Sequence, residues 1–275
     1  MVLISELSPF IPLINLFFFI AGVPFVLWLN NKTKNDWVCL GLGIFYMCIY
    51  GVIVEPNWDD WLFFFFGLIV GYITDYWGVN AKKWKYHLWD PNYGFSFYVG
   101  FAWGMVSIFT YNIGKVILAS SKFFYLPGIL FILPTFFFEW KFGKTRKDQY
   151  FLFARAIFTF FAFLASNNLG LLFVACFVGA YIEFAGVYWI KNWLYLDTMS
   201  FIFISFGYSF IILWSKMLVD LLNGIILPFV WLFFVLAVLA AAIDIFWAQK
   251  KVQIDSEKAI IAAKEFHRKN KTKNP

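Results

Sequence analysis

The sequence predicts an all-α fold: a polytopic membrane helix bundle of about nine transmembrane helices, built as two parallel four-helix repeats plus one helix. Three observations predict it. Of the 275 residues, 62% are hydrophobic and only 14% charged, whereas a soluble domain carries about 25% charged residues. Long apolar runs recur along the chain, each close to the roughly 20 helical residues that cross about 30 Å of hydrocarbon. Finally, "VGYITDYWGV" at 70–79 returns as "VGAYIEFAGV" at 178–187, so that Gly71, Asp75, Gly78 and Val79 fall on Gly179, Glu183, Gly186 and Val187 at one offset of 108.

Charge and turn residues break the apolar sequence into spans at about 9–29, 37–54, 61–80, 94–118, 123–140, 149–165, 169–190, 198–221 and 224–247. The N-terminus shows neither the basic region nor the small-residue cleavage site of a signal peptide, so the first span is expected to stay as a helix. The second follows Lys32 and Lys34, and the third follows the acidic "EPNWDD". The fourth follows a long connection, "NAKKWKYHLWDPNYG", whose Asp90-Pro91-Asn92 turn suits either a surface loop or a fold over a cavity mouth. The basic segment around Lys141, Lys144, Arg146 and Lys147 separates the fifth from the sixth, while "SNN" and "NG" turns open the seventh and ninth. Pro12, Pro24, Pro127, Pro134 and Pro228 lie within or at the ends of spans, where bundle packing satisfies the backbone groups they free.

Most of the 22 Lys and Arg residues fall in alternate loops and in the tail. The positive-inside rule then places the N-terminus outside and the C-terminus in the cytoplasm of an integral membrane protein, with the bilayer as its first partner. The tail, 248–275, is expected as a helical extension with a basic end that anionic headgroups attract, or that serves only as a topology anchor. The matched motifs lie four helices apart, so both units run the same way and a pseudo-two-fold axis along the membrane normal would relate them. The units are 1–118 and 119–222, followed by the ninth helix, 223–247.

Composition also excludes chemistry. His87 and His267 are the two histidines, too few for histidine-box di-iron or bis-histidine haem sites. Cys39, Cys48 and Cys176 sit in apolar runs without metal-ligand spacing and read as buried thiols. Phosphate loops and nucleophile elbows are missing. No metal, no other cofactor and no nucleic-acid partner is expected.

What stands out is an acid at the same point of two apolar helices. Intramembrane carboxyls face a bundle interior or cavity, or reach the interface to pair with a lysine, here Lys82, Lys83 or Lys191. Two acids facing one cavity would disfavour double ionisation, leaving one as acid and one as base. Asp75 and Glu183 are therefore the candidate catalytic residues. Trp84, Tyr86 and Trp103 accompany the first, and Trp193, Tyr195 and Tyr208 the second, as candidate substrate-binding residues whose π-faces stabilise a cation. For Trp84, Tyr86, Trp193 and Tyr195 an interfacial aromatic belt is the alternative. Tyr72, Trp77, Trp89, Tyr181, Trp189 and Trp214 complete the wider aromatic set. An apolar cavity with a proton donor and π-faces suits protonation of an alkene.

The segments "ITDYWGVNAKKWKYHLWDPNYGFSFYVGFAWG" and "YIEFAGVYWIKNWLYLDTMSFIFISFGYS" resemble the bacterial carotenoid-biosynthesis membrane family, which includes membrane carotenoid hydratases and, more distantly, small membrane lycopene cyclases. "NAKK" and "YWIKN" stand where the hydratases often carry a proline-glycine patch. The resemblance implies that Asp75 and Glu183 are the acids, and that Trp84, Tyr86, Trp193 and Tyr195 are the aromatic cluster. It also implies an apolar isoprenoid substrate that is hydrated, isomerised or cyclised. A small transporter with parallel repeats and a membrane subunit without chemistry remain as alternatives. Arg155 and Lys216 suit a permeation path or an anion site, or snorkel, with Lys216 pairing to Asp220 one turn on.

Overall fold

A computed structural model describes residues 11–86, 95–118, 150–195 and 201–271. They form α1 (Ile11–Thr33), α2 (Asp36–Val54), α3 (Trp58–Asn80), β1 (Trp84–Tyr86), α4 (Val99–Leu118), α5 (Tyr150–Ala165), α6 (Leu169–Glu183), a π-helix (Phe184–Trp189), β2 (Trp193–Tyr195), α7 (Phe201–Leu222) and α8 (Pro228–Lys271). The eight α-helices stand where eight of the nine expected spans lie. The expected fifth span, the basic segment 141–148, and residues 87–94 of the long connection fall outside the described residues.

Five segments are long and apolar enough to cross a bilayer: Leu13–Thr33, Asp36–Val54, Trp58–Asn80, Leu169–Trp189 and Pro228–Trp247. Their outer faces carry exposed Phe17, Phe45, Phe229 and Phe246. So much contiguous apolar surface is tolerated in lipid and not in water. The protein is therefore an integral membrane protein. α8 runs on past the apolar segment to Lys271, and so the basic tail begins as the expected helical extension.

Local chemistry sets the helix ends. Asn35 caps α2 by accepting from the Trp37 N–H at 2.9 Å. At α3, Asn57 Oδ1 accepts from the Asp60 N–H at 3.0 Å while Asp60 Oδ2 accepts from the Asn57 N–H at 2.9 Å, a reciprocal box that satisfies two orphan donors.

Four helices make the centre. α3 packs against α4 and α7, and α6 packs against α7 and α4, closing a ring. α1 and α2 flank it beside α4, while α5 and α8 pack together beside α7. β1 and β2 follow α3 and the α6–π segment and pair antiparallel, with Trp84 opposite Tyr195, Lys85 opposite Leu194 and Tyr86 opposite Trp193. The two W-x-Y segments, read from sequence only as aromatic clusters, thus meet as a strand pair just beyond the ends of two spans. Backbone N–H and C=O groups outside the helices still need partners, and these two short segments find them in each other.

Candidate functional site

Glycines and a shared turn geometry place the site. A Cβ on Gly71 would overlap the Trp103 indole, and one on Gly179 would overlap the Tyr208 ring. Likewise Gly78 leaves room for Trp84, and Gly186 for Trp193. Each motif glycine thus admits one aromatic that sequence had singled out. The chain then turns back through Lys82 at φ 54° and Lys191 at φ 57°, left-handed conformations that side chains adopt at a cost. Lys83 N–H donates to the Gly78 carbonyl at 2.9 Å, and Asn192 N–H to the Gly186 carbonyl at 2.7 Å.

These two closures differ by one residue, and the π-helix explains it. Acids match at an offset of 108 but the tryptophans, Trp84 and Trp193, at 109. A π turn is an α-helix with one residue added. Phe184–Trp189 takes up the addition, with Tyr188 and Trp189 bulging outward and exposed. As a result, Trp193 reaches β2 in register despite the longer chain.

Asp75 and Glu183 are both buried, at 3% exposure each. Asp75 accepts from the Tyr86 hydroxyl at 2.9 Å and from the Trp103 indole N–H. Glu183 accepts from the Tyr208 hydroxyl at 3.0 Å and from the Trp193 indole N–H at 3.2 Å. The interface-pairing alternative does not describe these acids: Lys83 is buried in an ion pair with Asp244, and Lys82 and Lys191 are exposed. Burial, and then the charge of Asp75, pushes the Tyr86 phenol well above its ordinary value, so it is a protonated donor at working pH. Tyr195, pushed up by burial and then by Glu183, lies beside that second carboxyl.

The four donors also bridge the acids. Trp103 and Tyr208 stand 4.5 Å apart between ring centroids, and Tyr86 and Trp193 5.8 Å apart. All four line a single apolar cleft, whose remaining walls include Val23 and Leu27 of α1, Cys39 and Gly43 of α2, and Met105 of α4.

No family model, curated protein or solved structure matches this chain.

Of the candidate residues, Asp75, Glu183, Tyr86, Trp103, Trp193 and Tyr208 form one hydrogen-bonded cluster. The carboxyls stand behind the cleft wall, and their donors form it. Trp84 and Tyr195 pack together at 6.0 Å on the same strands but do not line the cleft. Trp84 Nε1 is buried and, among the described residues, makes no hydrogen bond of normal geometry, although it lies beside Asp75. The wider aromatic set stays out: Tyr72, Trp77 and Trp189 are exposed, Tyr181 donates to the Ile20 carbonyl, Trp214 packs on Phe234 of α8, and Trp89 lies outside the described residues.

Sequence reasoning missed a polar latch at one end of the cleft. Tyr98 lines the cleft, and its hydroxyl accepts from Asn192 Nδ2 at 3.1 Å. Nearby, buried Asp36 accepts from Asn30 Nδ2 at 3.1 Å, Ser96 Oγ at 2.9 Å and the Phe97 N–H at 3.2 Å. Asn31 Nδ2 donates to the Ile190 carbonyl at 2.8 Å. The latch ties α1, α2 and the start of α4 to the turn after the π-helix. Isolated Asn and Ser in apolar sequence carry no spacing signal that would have revealed it. Among the described residues no cluster of three or more His, Cys, Asp or Glu is placed to hold a metal.

The arrangement has a definite chemistry. Tryptophan N–H only donates, whereas a tyrosine hydroxyl both donates and accepts. Each carboxyl therefore has a fixed indole donor, Trp103 or Trp193, and a reversible phenol partner that also borders the cleft, Tyr86 or Tyr208, with Tyr195 a further phenol beside Glu183. When the carboxyl is protonated, its O–H can turn to the phenol oxygen and release the phenol proton toward the cleft.

Proposed function

We propose that the protein is an integral membrane enzyme that acts on an isoprenoid, carotenoid-like or other long apolar lipid by acid-initiated hydration, isomerisation or cyclisation. The observation that carries this reading is the cluster itself: two buried carboxyls, each bonded to one phenol and one indole, with all four rings forming the wall of one apolar cleft. Apolar sites with a few convergent polar groups are where small ligands bind.

In the proposed cycle, a carboxyl proton passes to its phenol as the phenol's own proton adds to an alkene carbon. The alkene's π electrons form the new C–H bond and leave a cation on the neighbouring carbon. Trp103 and Trp193 present ring faces that stabilise it, while the indole N–H holds the carboxylate left behind. Water, a second double bond or loss of a proton to the other carboxylate then resolves the cation. Asp75 and Glu183 share acid and base roles.

We also infer a pseudo-two-fold relation between α3–β1–α4 and α6–π–β2–α7. It is supported by the matched glycine contacts, the paired left-handed lysines and the strand register centred on Lys85 and Leu194. With basic loops inside, the strand end of the bundle is cytoplasmic and the N-terminus is outside. The root of the basic tail, at Lys250 and Lys251, then meets anionic headgroups.

Reconstituted protein supplied with acyclic polyprenoids in heavy water tests the reaction. Solvent deuterium should enter a carbon of the product in wild type and not in Asp75→Asn or Glu183→Gln, as read by mass spectrometry. Deuterium-free turnover, or equal labelling in both variants, overturns the mechanism.

A further inference from the structure

A second polar group lies buried on the flank of the bundle away from the cleft. Asp244 of α8 forms an ion pair with Lys83, both side chains being less than 10% exposed. Arg155 of α5 sits in the field of the same carboxylate, with its guanidinium carbon 5.5 Å from the centre of the Phe210 ring. Phe210 belongs to the packing with Ala237 and Ala241 of α8, apart from the cluster that holds Tyr208. Arg155 Nε is buried with no hydrogen-bond partner.

Among the described residues the charges do not balance here. One carboxylate faces two cations, and Lys83 already holds it. A buried donor left without a partner, as Arg155 Nε is, is costly, and an arginine fork in that state is shaped to receive a second oxyanion. Space for one exists. Among the described residues, the single atom within 4 Å of a Cβ placed on Gly207 is Arg155 Nη2, at 3.7 Å. Among the described residues, the surface of α7 beside the guanidinium is therefore an open notch.

We propose that Arg155, backed by the Lys83–Asp244 pair and opening on the Gly207 notch, is a binding site for a phosphate oxyanion. It takes either the phosphodiester of an anionic lipid headgroup or a free phosphate. Arg155 supplies a planar, bidentate donor set, and the Phe210 ring holds its orientation. The Lys83 ammonium adds attraction while remaining tied to Asp244. Lys216, by contrast, is neutralised by Asp220 within its own helix at 2.5 Å and makes no comparable site.

The test is lipid and phosphate retention by the full-length protein. Purified protein is placed in nanodiscs of phosphatidylcholine with or without phosphatidylglycerol, and bound lipid is counted by native mass spectrometry after ejection. Inorganic phosphate is titrated separately and followed by thermal melting. Wild type should retain phosphatidylglycerol over phosphatidylcholine. Arg155→Gln should weaken retention at least about tenfold, the loss of a charge-assisted pair. Gly207→Leu, which fills the notch and leaves every charge in place, should do the same, and Lys216→Gln should behave as wild type. Stabilisation of wild type by inorganic phosphate, lost in Arg155→Gln, identifies a free phosphate as the ligand. Retention of phosphatidylglycerol without that response identifies the headgroup. Equal retention and equal melting response in wild type, Arg155→Gln and Gly207→Leu overturns the site.

Discussion

Tyr86 and Trp193 stand opposite each other in the strand pair, and each donates a hydrogen bond to a different carboxyl, Tyr86 to Asp75 and Trp193 to Glu183. Trp103 and Tyr208 repeat the relation with the ring types exchanged. Every bridge between the acids therefore pairs one phenol with one indole. The two acids are thereby joined through two pairs of neighbouring rings.

The relay through the phenols is open to test. Tyr86→Phe and Tyr208→Phe keep the ring in the cleft and delete the hydroxyl through which the proton would pass. Each should lower turnover by about 10²–10⁴-fold, the usual weight of general acid–base catalysis. Trp193→Phe removes only a fixed donor and should cost less. Equal losses at Tyr86, Tyr208 and Trp193, measured as initial rates on the same polyprenoid, would show that the hydroxyls only position the acids.

Asp75→Asn and Glu183→Gln preserve size and much of the hydrogen bonding. Each should remove activity while the melting temperature stays within a few degrees of wild type. The double variant should be little worse than either alone, because groups that act as a unit are non-additive. Multiplied losses in the double variant would instead indicate two independent sites.

Hydropathy made the helices legible: 37–54 is realised as Asp36–Val54, 149–165 as Tyr150–Ala165 and 198–221 as Phe201–Leu222. The acids and four of the six aromatics, Tyr86, Trp103, Trp193 and Tyr208, were legible because two copies of a pattern stood at nearly one offset, whereas Trp84 and Tyr195 share the pattern without lining the cleft. The strands were not. A three-residue W-x-Y has no periodicity to read, and its pairing depends on a partner 109 positions away. The cleft was not legible either. Val23, Leu27, Cys39 and Gly43 look like any other span residues until α1 and α2 are set beside α4. Lys83 looked like one of several loop cations, and its partner Asp244 lies 161 residues on.

Glycine packing predicts a sharp contrast in stability. Gly186→Ala would force a methyl group into the Trp193 ring, which is buried and held by Glu183, so it has little room to yield. Overpacking of this kind costs about 1–3 kcal/mol. Gly41→Ala meets nothing within 4 Å among the described residues and should be neutral or slightly stabilising. Melting in detergent, read by intrinsic fluorescence, compares the two. A Gly186→Ala protein as stable as Gly41→Ala would mean that Trp193 does not occupy its place.

Orientation predicts that a lone cysteine at position 144, in a chain freed of Cys39, Cys48 and Cys176, reacts with a membrane-impermeant maleimide only after the cells are opened. A cysteine at position 55 should react in intact cells. Labelling at 144 from outside reverses the topology and places the strand end on the outer face.

The one-residue difference between the halves yields the most specific expectation. If the π-helix exists to absorb an added residue, deleting exposed Tyr188 should convert it to α-helix and let the second half follow the geometry of the first. The turn through Lys191 would then close over five residues from Gly186, as Lys83 closes on Gly78, and β2 would keep its register. Lys85 and Leu194 face each other across the strands, where paired Cα atoms stand about 4.5–5.5 Å apart, within disulfide range. Lys85→Cys with Leu194→Cys should therefore cross-link under mild oxidation, both in the full-length chain and in the Tyr188 deletion. Deleting Ala175 instead, in the buried α-helical part of α6 before Glu183, rotates the acid by about 100° relative to the upstream helix and should abolish both cross-link and activity. Loss of the cross-link on deleting Tyr188 would mean that the π-helix is required to aim Trp193, and that the halves reach the same strand pair by different routes.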